Sequence, residues 1–263
     1  MARTGHGGGL IQENIDSRVS YCTRVLRLSQ IREHYPHLSQ LAREQGWSFE
    51  EYLEALLARQ VSAREANGAQ NRLCRAHFPR YHTLEEFNYS HQTSAPRELL
   101  AHLATSTFIT KKENVILLGP PGTGKTHLGI ALGMKAIENG HTVTFTTALD
   151  LLTTLTKATR NDQLDQALTT INRPNLLIID ELGYIPLDTD SANLFFQVIS
   201  TRYETGSIII TSNLPFAKWG TVLADETVAA ATIDRLIHHS HIIALKGDSY
   251  RTKNHEQQLT TKK

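Results

Sequence analysis

Residues 114–128, NVILLGPPGTGKTHL, decide the fold. The apolar residues 115–118 are typical of a short buried strand, and the pattern over residues 127–137 is helical. Between them, residues 119–126 fit the phosphate-loop pattern G-x-x-x-x-G-K-[ST] at every required position. The alternative is a plain glycine turn with a solvated lysine. A strand before the loop and a helix after it favour the phosphate site.

The loop predicts how a nucleotide is held. Its glycines let backbone N–H groups converge on anionic oxygens, and the following helix adds its positive N-terminal end. Lys125 is expected to reach the outer phosphates, and the Thr126 hydroxyl to bind Mg²⁺. The expected nucleotide-binding residues are Gly119, Pro120, Pro121, Gly122, Thr123, Gly124, Lys125, Thr126 and His127.

Composition limits the class of protein. The chain has 263 residues and a net charge of +1, so no global field demands an anionic partner. Hydrophobic content of 40% and charged content of 20% are ordinary for a globular protein. Cys22 and Cys74 have no metal-ligand spacing, and no apolar run resembles a membrane span or a signal peptide. These features predict a bacterial cytoplasmic protein.

Changes of pattern along the chain predict four segments. Residues 1–15 are expected to be a flexible tail and residues 256–263 a basic tail. Residues 16–82 predict a small helical N-terminal domain, in which Pro36 is expected to end the first helix. Residues 83–255 predict the nucleotide-binding domain.

Two local features carry further predictions. Ser48 followed by Glu51 forms a capping box and predicts the start of a helix. Phe87 and Tyr89 lie in the connector before the first strand. Aromatic side chains at this place either contact an adenine ring or pack against the core, and the sequence leaves both interpretations open.

The fold class follows from the remaining apolar runs. Residues 143–147, 176–179 and 207–212 predict three further strands, and residues 242–245 a short fifth strand. Helical patterns separate these runs. Short buried strands separated by helices predict an α/β fold, with a parallel sheet flanked by helices.

Polar side chains follow two of these strands. Asp180 and Glu181 come directly after residues 176–179, at the strand end that opens onto the ligand crevice. Asp180 is expected to orient Mg²⁺ and Glu181 to polarise the attacking water, with a solvated strand end as the alternative. Asn213 is expected to orient the water or contact the γ-phosphate, with a turn-forming asparagine as the alternative.

Two arginines are candidates for stabilising the transferring phosphoryl group. They are Arg235 and Arg251, and a neighbouring subunit could supply either one. A surface ion pair is the alternative for each. Thr211 and Ser212 are weaker candidates for the role assigned to Asn213.

Four longer segments carry a resemblance to a known family. They are GPPGTGKTHL at 119–128, LLIIDELGYIPLD at 176–188, FFQVISTRYETGSIIITSNLPFAKWG at 195–220 and ATIDRLIHHSHIIALKGDSYR at 231–251. With them the chain resembles the IstB-type AAA+ ATPases, the helper proteins of insertion-sequence transposition, which are related to DnaC-type helicase loaders. The resemblance covers roughly residues 20–255. Residue by residue, Lys125 and Thr126 match Walker A, Asp180 and Glu181 Walker B, Asn213 the sensor-1 asparagine, Arg235 the arginine-finger box and Arg251 the second sensor arginine.

The resemblance implies more than the residues alone. It implies ATP or ADP and Mg²⁺ as cofactors, a homo-oligomer on double-stranded DNA with ATP sites between subunits, and a helical N-terminal domain that contacts an IstA-type transposase. It implies target-site selection coupled to hydrolysis, with hydrolysis as the disassembly switch. It also implies that residues 148–171 face DNA, and Lys157 and Arg160, with Arg173 behind them, are the candidate contacts.

Two other functions compete with this one. A helicase loader that acts on a replicative helicase would have the same core. A small-molecule P-loop kinase would need an arginine-bearing lid and an acceptor pocket. The Asp180–Glu181 pair argues against the kinase, and so does the run 207–212 with Asn213 directly after it.

Overall fold

The computed structural model describes the backbone of residues 8–247 and the side chains of residues 15–247. Contacts divide the chain into two units, with the division between Gln70 and Asn71. The domain boundary expected after residue 82 therefore falls within the second unit. Arg251 and the basic tail predicted at the C-terminal end lie outside the described residues.

The first unit is helical. Its helices are α1 Gly8–Val25, α2 Ser29–Gln45 and α3 Phe49–Arg75, and α3 continues past the division. Residues 8–15, expected to be tail, are therefore the first part of α1. The capping box is confirmed, since the Ser48 N–H donates to Glu51 Oε2 at 2.7 Å and the Glu51 N–H to Ser48 Oγ at 3.2 Å.

The predicted helix end at Pro36 is wrong. Pro36 lies inside α2, although its ring removes one backbone donor. Hydrogen bonds on both sides of it tie α2 to α3, because the Gln30 N–H donates to Gln60 Oε1 at 3.1 Å and Ser39 Oγ pairs with Tyr52 Oη at 2.6 Å. Tertiary contacts thus outweigh one missing hydrogen bond of the helix.

The second unit contains a five-stranded parallel sheet, as predicted. Its strands are β1 Asn114–Leu118, β2 Val143–Thr147, β3 Leu176–Leu182, β4 Ser207–Ser212 and β5 Ser240–Ala244. Their order across the sheet is β2-β3-β4-β1-β5, and all four neighbouring pairs are parallel. The carboxyl ends of β1, β3 and β4 therefore meet at one edge.

Helices cover both faces of the sheet. They are α4 Arg97–Ala104, α5 Thr107–Thr110, α6 Lys125–Glu138, α7 Ala148–Arg160, α8 Leu164–Asn172, α9 Thr189–Arg202, α10 Trp219–Val222 and α11 Glu226–Ile237. Along β3, Ile178 belongs to the core on the α6 side, whereas Leu177 and Ile179 belong to the core shared with α7 and α9. Because both faces are covered, the inner strands β1, β3 and β4 contain continuous apolar runs, whereas the edge strands β2 and β5 include polar residues.

Candidate functional site

The phosphate loop connects β1 to α6, as the sequence predicts. Gly119 and Gly124 have φ values of 149° and 95°, which residues with a side chain rarely adopt. A Cβ atom on Gly119 would lie 2.3 Å from the Leu245 carbonyl oxygen, and one on Gly124 would lie 2.7 Å from the Phe87 ring. Both glycines are therefore required by close packing as well as by the turn.

Lys125 is the first residue of α6 and is buried. Its Nζ donates to the carbonyl oxygens of Gly119 at 2.7 Å and of Pro120 at 2.8 Å. The ammonium group is thus held at the loop, beside the N-terminal end of the helix. Both features favour anionic oxygens at this place.

Thr126 and Asp180, which are 54 positions apart, lie together. The Thr126 hydroxyl lies 3.0 Å from each carboxylate oxygen of Asp180, and the Thr211 hydroxyl donates to Asp180 Oδ1. Asp180 is only 4% exposed, and burial raises the pKa of its carboxyl group. Hydrogen bonds from Thr211 and Thr126, together with the Lys125 charge, oppose this rise.

Glu181 is exposed, although the residue before it is buried. The pairing of β3 with β4 shifts between Ile179 and Leu182, and Glu181 has a φ of 62°. The bulge is pinned by the Glu181 N–H, which donates to Thr211 Oγ1 at 3.0 Å. Because of this bulge, Asp180 and Glu181 line the same cleft.

This cleft has a volume of about 1270 Å³ and two walls. The first, the phosphate wall, comprises residues 122–127 with Asp180 and Glu181. The second, the ring wall, consists of cleft-lining side chains from residues 77–92. From the sequence, only Phe87 and Tyr89 of this segment were predicted as candidates, and the other residues of the ring wall were missed.

Ring contacts and one buried amide join the two walls. Phe87 is buried against Gly124, and the His82 and His127 rings are stacked with centroids 4.4 Å apart. The buried Gln92 donates from Nε2 to the Thr123 carbonyl oxygen at 3.2 Å. Burial is the main cause of a lowered pKa at His82. The signal in the sequence was a stretch rich in histidine and aromatic residues directly before the core.

Tyr89 is placed differently from Phe87. Its ring packs against the Phe87 ring with centroids 5.0 Å apart, and the Arg97 guanidinium lies 4.7 Å from its centroid. Tyr89 is not among the described residues that line the cleft. Of the two interpretations, packing describes Tyr89, whereas Phe87 both packs and lines the cleft.

The structure describes two further predicted phosphate-site residues, Asn213 and Arg235, and neither lines the cleft. Asn213 follows β4 and is not among the described cleft-lining residues, and its buried Oδ1 has no hydrogen-bond partner among them. Thr211, the weaker candidate, is the β4 residue that contacts Asp180. Arg235 lies on α11, with its guanidinium 4.6 Å from the Phe196 ring centroid. Arg251 lies outside the described residues.

Two of the three candidate DNA contacts border a second groove. Lys157 and Arg160 are exposed on α7 and line a groove of about 470 Å³ together with Tyr184 and Ile185. Glu181 also lines this groove, which therefore adjoins the phosphate wall. Arg173 is exposed at the end of α8 and is not among the described residues that line it.

Sequence comparison identifies similar proteins over most of the chain. The family described as IstB-like ATP binding protein matches residues 22–258. An ATP-binding protein of insertion sequence IS21 from Pseudomonas aeruginosa is 41% identical over 228 residues, 87% of this chain and 86% of that protein. An ATP-binding protein of insertion sequence IS5376 from Geobacillus stearothermophilus is 40% identical, over 89% of this chain and 92% of that protein.

Structure comparison identifies solved proteins with a similar fold. DnaA from Aquifex aeolicus, in a complex with AMPPCP, is 22% identical with a TM-score of 0.52, and the match covers 70% of this chain and 56% of that one. A DnaI structure is 18% identical with a TM-score of 0.54, over 62% of this chain and 90% of that one. None of the helices among residues 8–247 is long and apolar enough to cross a membrane.

Proposed function

Because this chain belongs to the family of IstB-like ATP-binding proteins and has the AAA+ fold, we propose that it is an ATPase that assists insertion-sequence transposition. It assembles on duplex DNA in the ATP state, selects a target site, and recruits and activates a transposase of the IstA type. Hydrolysis then releases the assembly. The observation that carries this proposal is the meeting of Lys125, Thr126 and Asp180 at one strand edge.

The oxygen atoms at this edge suit Mg²⁺. The ion prefers oxygen ligands in octahedral geometry and keeps several of its waters. The Thr126 hydroxyl and the Asp180 carboxylate supply such oxygens side by side, so these two residues would hold it. Bound there, Mg²⁺ would neutralise charge on the β- and γ-phosphate oxygens.

The protein's own groups account for the remaining steps of hydrolysis. Lys125 and the N-terminal end of α6 bind the phosphates. Glu181, exposed on its bulge and lining the cleft, orients the attacking water and accepts its proton. Thr211 fixes the Asp180 carboxylate and the backbone of Glu181 at the same time.

An arginine from an adjacent subunit completes the site. Within residues 8–247, Arg235 is directed to Phe196 and does not line its own subunit's cleft. An arginine supplied in trans makes hydrolysis depend on assembly. Mixing Arg235→Ala with Glu181→Gln subunits tests this step, because interfaces between the two variants would regain one intact site. Absence of any regained turnover would exclude Arg235 and leave Arg251 as the candidate.

Lys157 and Arg160 are the proposed DNA contacts because both are exposed on α7 beside the phosphate wall. Arg173 is a third and more distant candidate. Contacts of this kind neutralise phosphates and position the duplex without reading its sequence. The affinity should therefore fall steeply as salt concentration rises.

One experiment tests the proposal as a whole. The full-length chain is incubated with duplex DNA and a slowly hydrolysed ATP analogue, and assemblies are examined by electron microscopy and sedimentation. We expect DNA-bound oligomers with the analogue and their dissociation with ADP. Equal assembly on DNA with the ATP analogue and with ADP would contradict the proposal that hydrolysis releases the assembly. Capture of a replicative helicase, and not a transposase, would favour the helicase-loader function.

A further inference from the structure

Three side chains that can bind a transition metal lie together in the cleft. His82 and Glu86 belong to the ring wall, and His127 belongs to the phosphate wall. Each offers one ligand atom, and these atoms all lie within 4.8 Å of one another. The two imidazole rings are stacked, with an angle of 23° between their planes.

A backbone carbonyl orients one of these imidazoles. His127 Nε2 lies 2.8 Å from the Thr83 carbonyl oxygen, which can only accept a hydrogen bond. Nε2 therefore carries the proton, and Nδ1 presents a lone pair. Histidines that bind metals commonly donate their other N–H to a backbone carbonyl in this way.

The same turn positions the carboxylate. The Thr83 N–H donates to Glu86 Oε2 at 3.2 Å, and the Glu86 N–H donates to Thr83 Oγ1 at 3.3 Å. Thr83 thus fixes both His127 and Glu86. This arrangement is a ligand-orienting shell around the cluster.

We propose that His82, Glu86 and His127 bind Zn²⁺ or a similar late first-row divalent ion. Two imidazoles and a carboxylate, with water in the fourth position, are a ligand set that Zn²⁺ accepts. Imidazole nitrogens also separate this site from that of Mg²⁺, which prefers oxygen. Tetrahedral ligands about 2.0–2.1 Å from the ion lie about 3.3 Å apart, so ligand atoms that are now within 4.8 Å of one another need to approach by at most about 1.5 Å. One imidazole must also tilt out of the stack, because the in-plane lone pairs of two nearly parallel rings do not converge on one ion.

A second cluster must be removed before the first is measured. Glu204, His238 and His239 also bring their ligand atoms within 4.8 Å. All three are exposed, and His238 Nδ1 lies 3.0 Å from the Tyr203 hydroxyl oxygen. The full-length variant His238→Asn is therefore the background for every measurement, so that Zn²⁺ bound at the surface is not counted.

The sharpest test compares two neighbouring glutamates. Glu86→Gln keeps a side-chain oxygen that can accept the Thr83 N–H, but it removes the carboxylate ligand. Glu85→Gln is the matched control, since Glu85 lies outside the cluster and pairs with Lys135 at 3.4 Å. A third variant, His82→Phe, keeps a ring in the stack and removes a nitrogen ligand.

Zn²⁺ affinity is measured by competition with a chromophoric chelator without nucleotide, and Co²⁺ serves as a spectroscopic probe. We expect one Zn²⁺ per chain, tetrahedral Co²⁺ absorption, and affinity about tenfold or more weaker in Glu86→Gln and His82→Phe. Glu85→Gln should bind as the background does. Equal affinity in all variants, or equal loss in Glu85→Gln, would overturn the proposal.

Melting temperatures in metal-free buffer identify any variant that does not fold. If either Glu86→Gln or His82→Phe fails to fold, the Zn²⁺ affinity of the other variant decides whether the site exists. Absence of tetrahedral Co²⁺ bands from the spectrum of the His238→Asn background would by itself exclude the site. The measurement uses no nucleotide. Its failure would therefore leave the proposed ATPase function untouched.

Discussion

The phosphate wall of the cleft is held by hydrogen bonds between charged or hydroxyl groups, whereas the ring wall is held mostly by packed rings. Asp180 accepts from two threonine hydroxyls, and Lys125 donates to two loop carbonyls. Across the cleft, Phe87 packs on Gly124, and His82 stacks on His127. Hydrogen bonds between particular atoms therefore fix the geometry of the phosphate wall, whereas the packing of rings fixes the geometry of the ring wall.

This difference predicts different sensitivities to substitution. Charge-assisted hydrogen bonds contribute more than neutral ones, and removing one partner leaves the other without compensation. Packed rings tolerate replacement better when shape is kept. Substitutions in the phosphate wall should therefore alter nucleotide binding and turnover far more than equivalent substitutions in the ring wall.

The largest effect is expected from Lys125→Ala, which removes the cation from the phosphate wall. ATP affinity should fall by roughly 100-fold, equivalent to about 3 kcal/mol for a hydrogen bond to a charged group. Equilibrium titration with a fluorescent ATP analogue measures this. Lys135→Ala is the control, because Lys135 lies on the same helix and pairs with Glu85 and Glu138 at the surface. Retained ATP affinity in Lys125→Ala would refute the assignment of the loop.

Next in size is Glu181→Gln, which separates binding from turnover within the phosphate wall. Loss of a general base lowers the rate by about 100-fold or more, and the exposed side chain adds little to ground-state binding. ATP affinity should stay near that of the wild type while phosphate release in the DNA-bound assembly falls. The exposed Glu226 of α11 provides the control Glu226→Gln. Wild-type turnover would remove Glu181 from this role.

A smaller effect is expected from Gln92→Ala, which cuts the hydrogen bond between the walls. Loss of one neutral hydrogen bond to the Thr123 carbonyl corresponds to about 1 kcal/mol, or roughly a fivefold loss of ATP affinity. Ser94→Ala is the matched control, since Ser94 contacts the oxygen of the Gln92 amide and leaves the bond to Thr123 intact. If Gln92→Ala lost as much ATP affinity as Lys125→Ala, the expected difference in sensitivity between the two walls would be contradicted.

The smallest effect concerns stability and its pH dependence. Burial raises the pKa of Asp180, so the folded chain binds a proton here more readily than the unfolded chain. Stability from this group is therefore lost as pH rises from the ordinary carboxyl range through the raised pKa. Asp180→Asn should melt a few degrees higher than wild type at pH 7 in metal-free buffer.

This gain should shrink as pH falls through the raised pKa of Asp180, below which the wild-type carboxyl group is neutral as well. Thermal unfolding followed by circular dichroism at several pH values measures the difference. The control is Asp188→Asn, in the exposed N-cap of α9. Hydrogen bonds from Ser191 lower the pKa of the Asp188 carboxyl, so the effect of this substitution on stability should have the opposite sign. A gain independent of pH would exclude titration of Asp180 as the cause.

The sequence predicted the phosphate wall because its residues occupy fixed positions in short patterns. The loop, its helix and the strand before Asp180 all lie where the apolar runs place them. Parallel strands bring their carboxyl ends to one edge, so the meeting of Thr126 with Asp180 follows from topology. Thr211 was predicted only as a weaker candidate for the role of Asn213, and its contact with Asp180 was not predicted, because the local pattern does not indicate a bulge.

The ring wall was largely missed because packing of rings has no periodic signature. His82, Phe87 and Gln92 gain their contacts only when the connector folds over the loop. The break between α4 and α5 at Ser106, whose φ is 62°, likewise has no signature in the local pattern. Local sequence patterns do not predict the positions of residues that are placed by tertiary contacts alone.

The close approach of Gly119 to Leu245 has a consequence for biosynthesis. The loop follows the first strand of the sheet, but its glycine rests against the backbone just after the last strand, and the Leu245 N–H donates to the Leu118 carbonyl at 2.7 Å. A ribosome must therefore add more than a hundred further residues before the loop gains this support. ATP should consequently do little to stabilise partly synthesised chains, and the nucleotide acts on the finished protein.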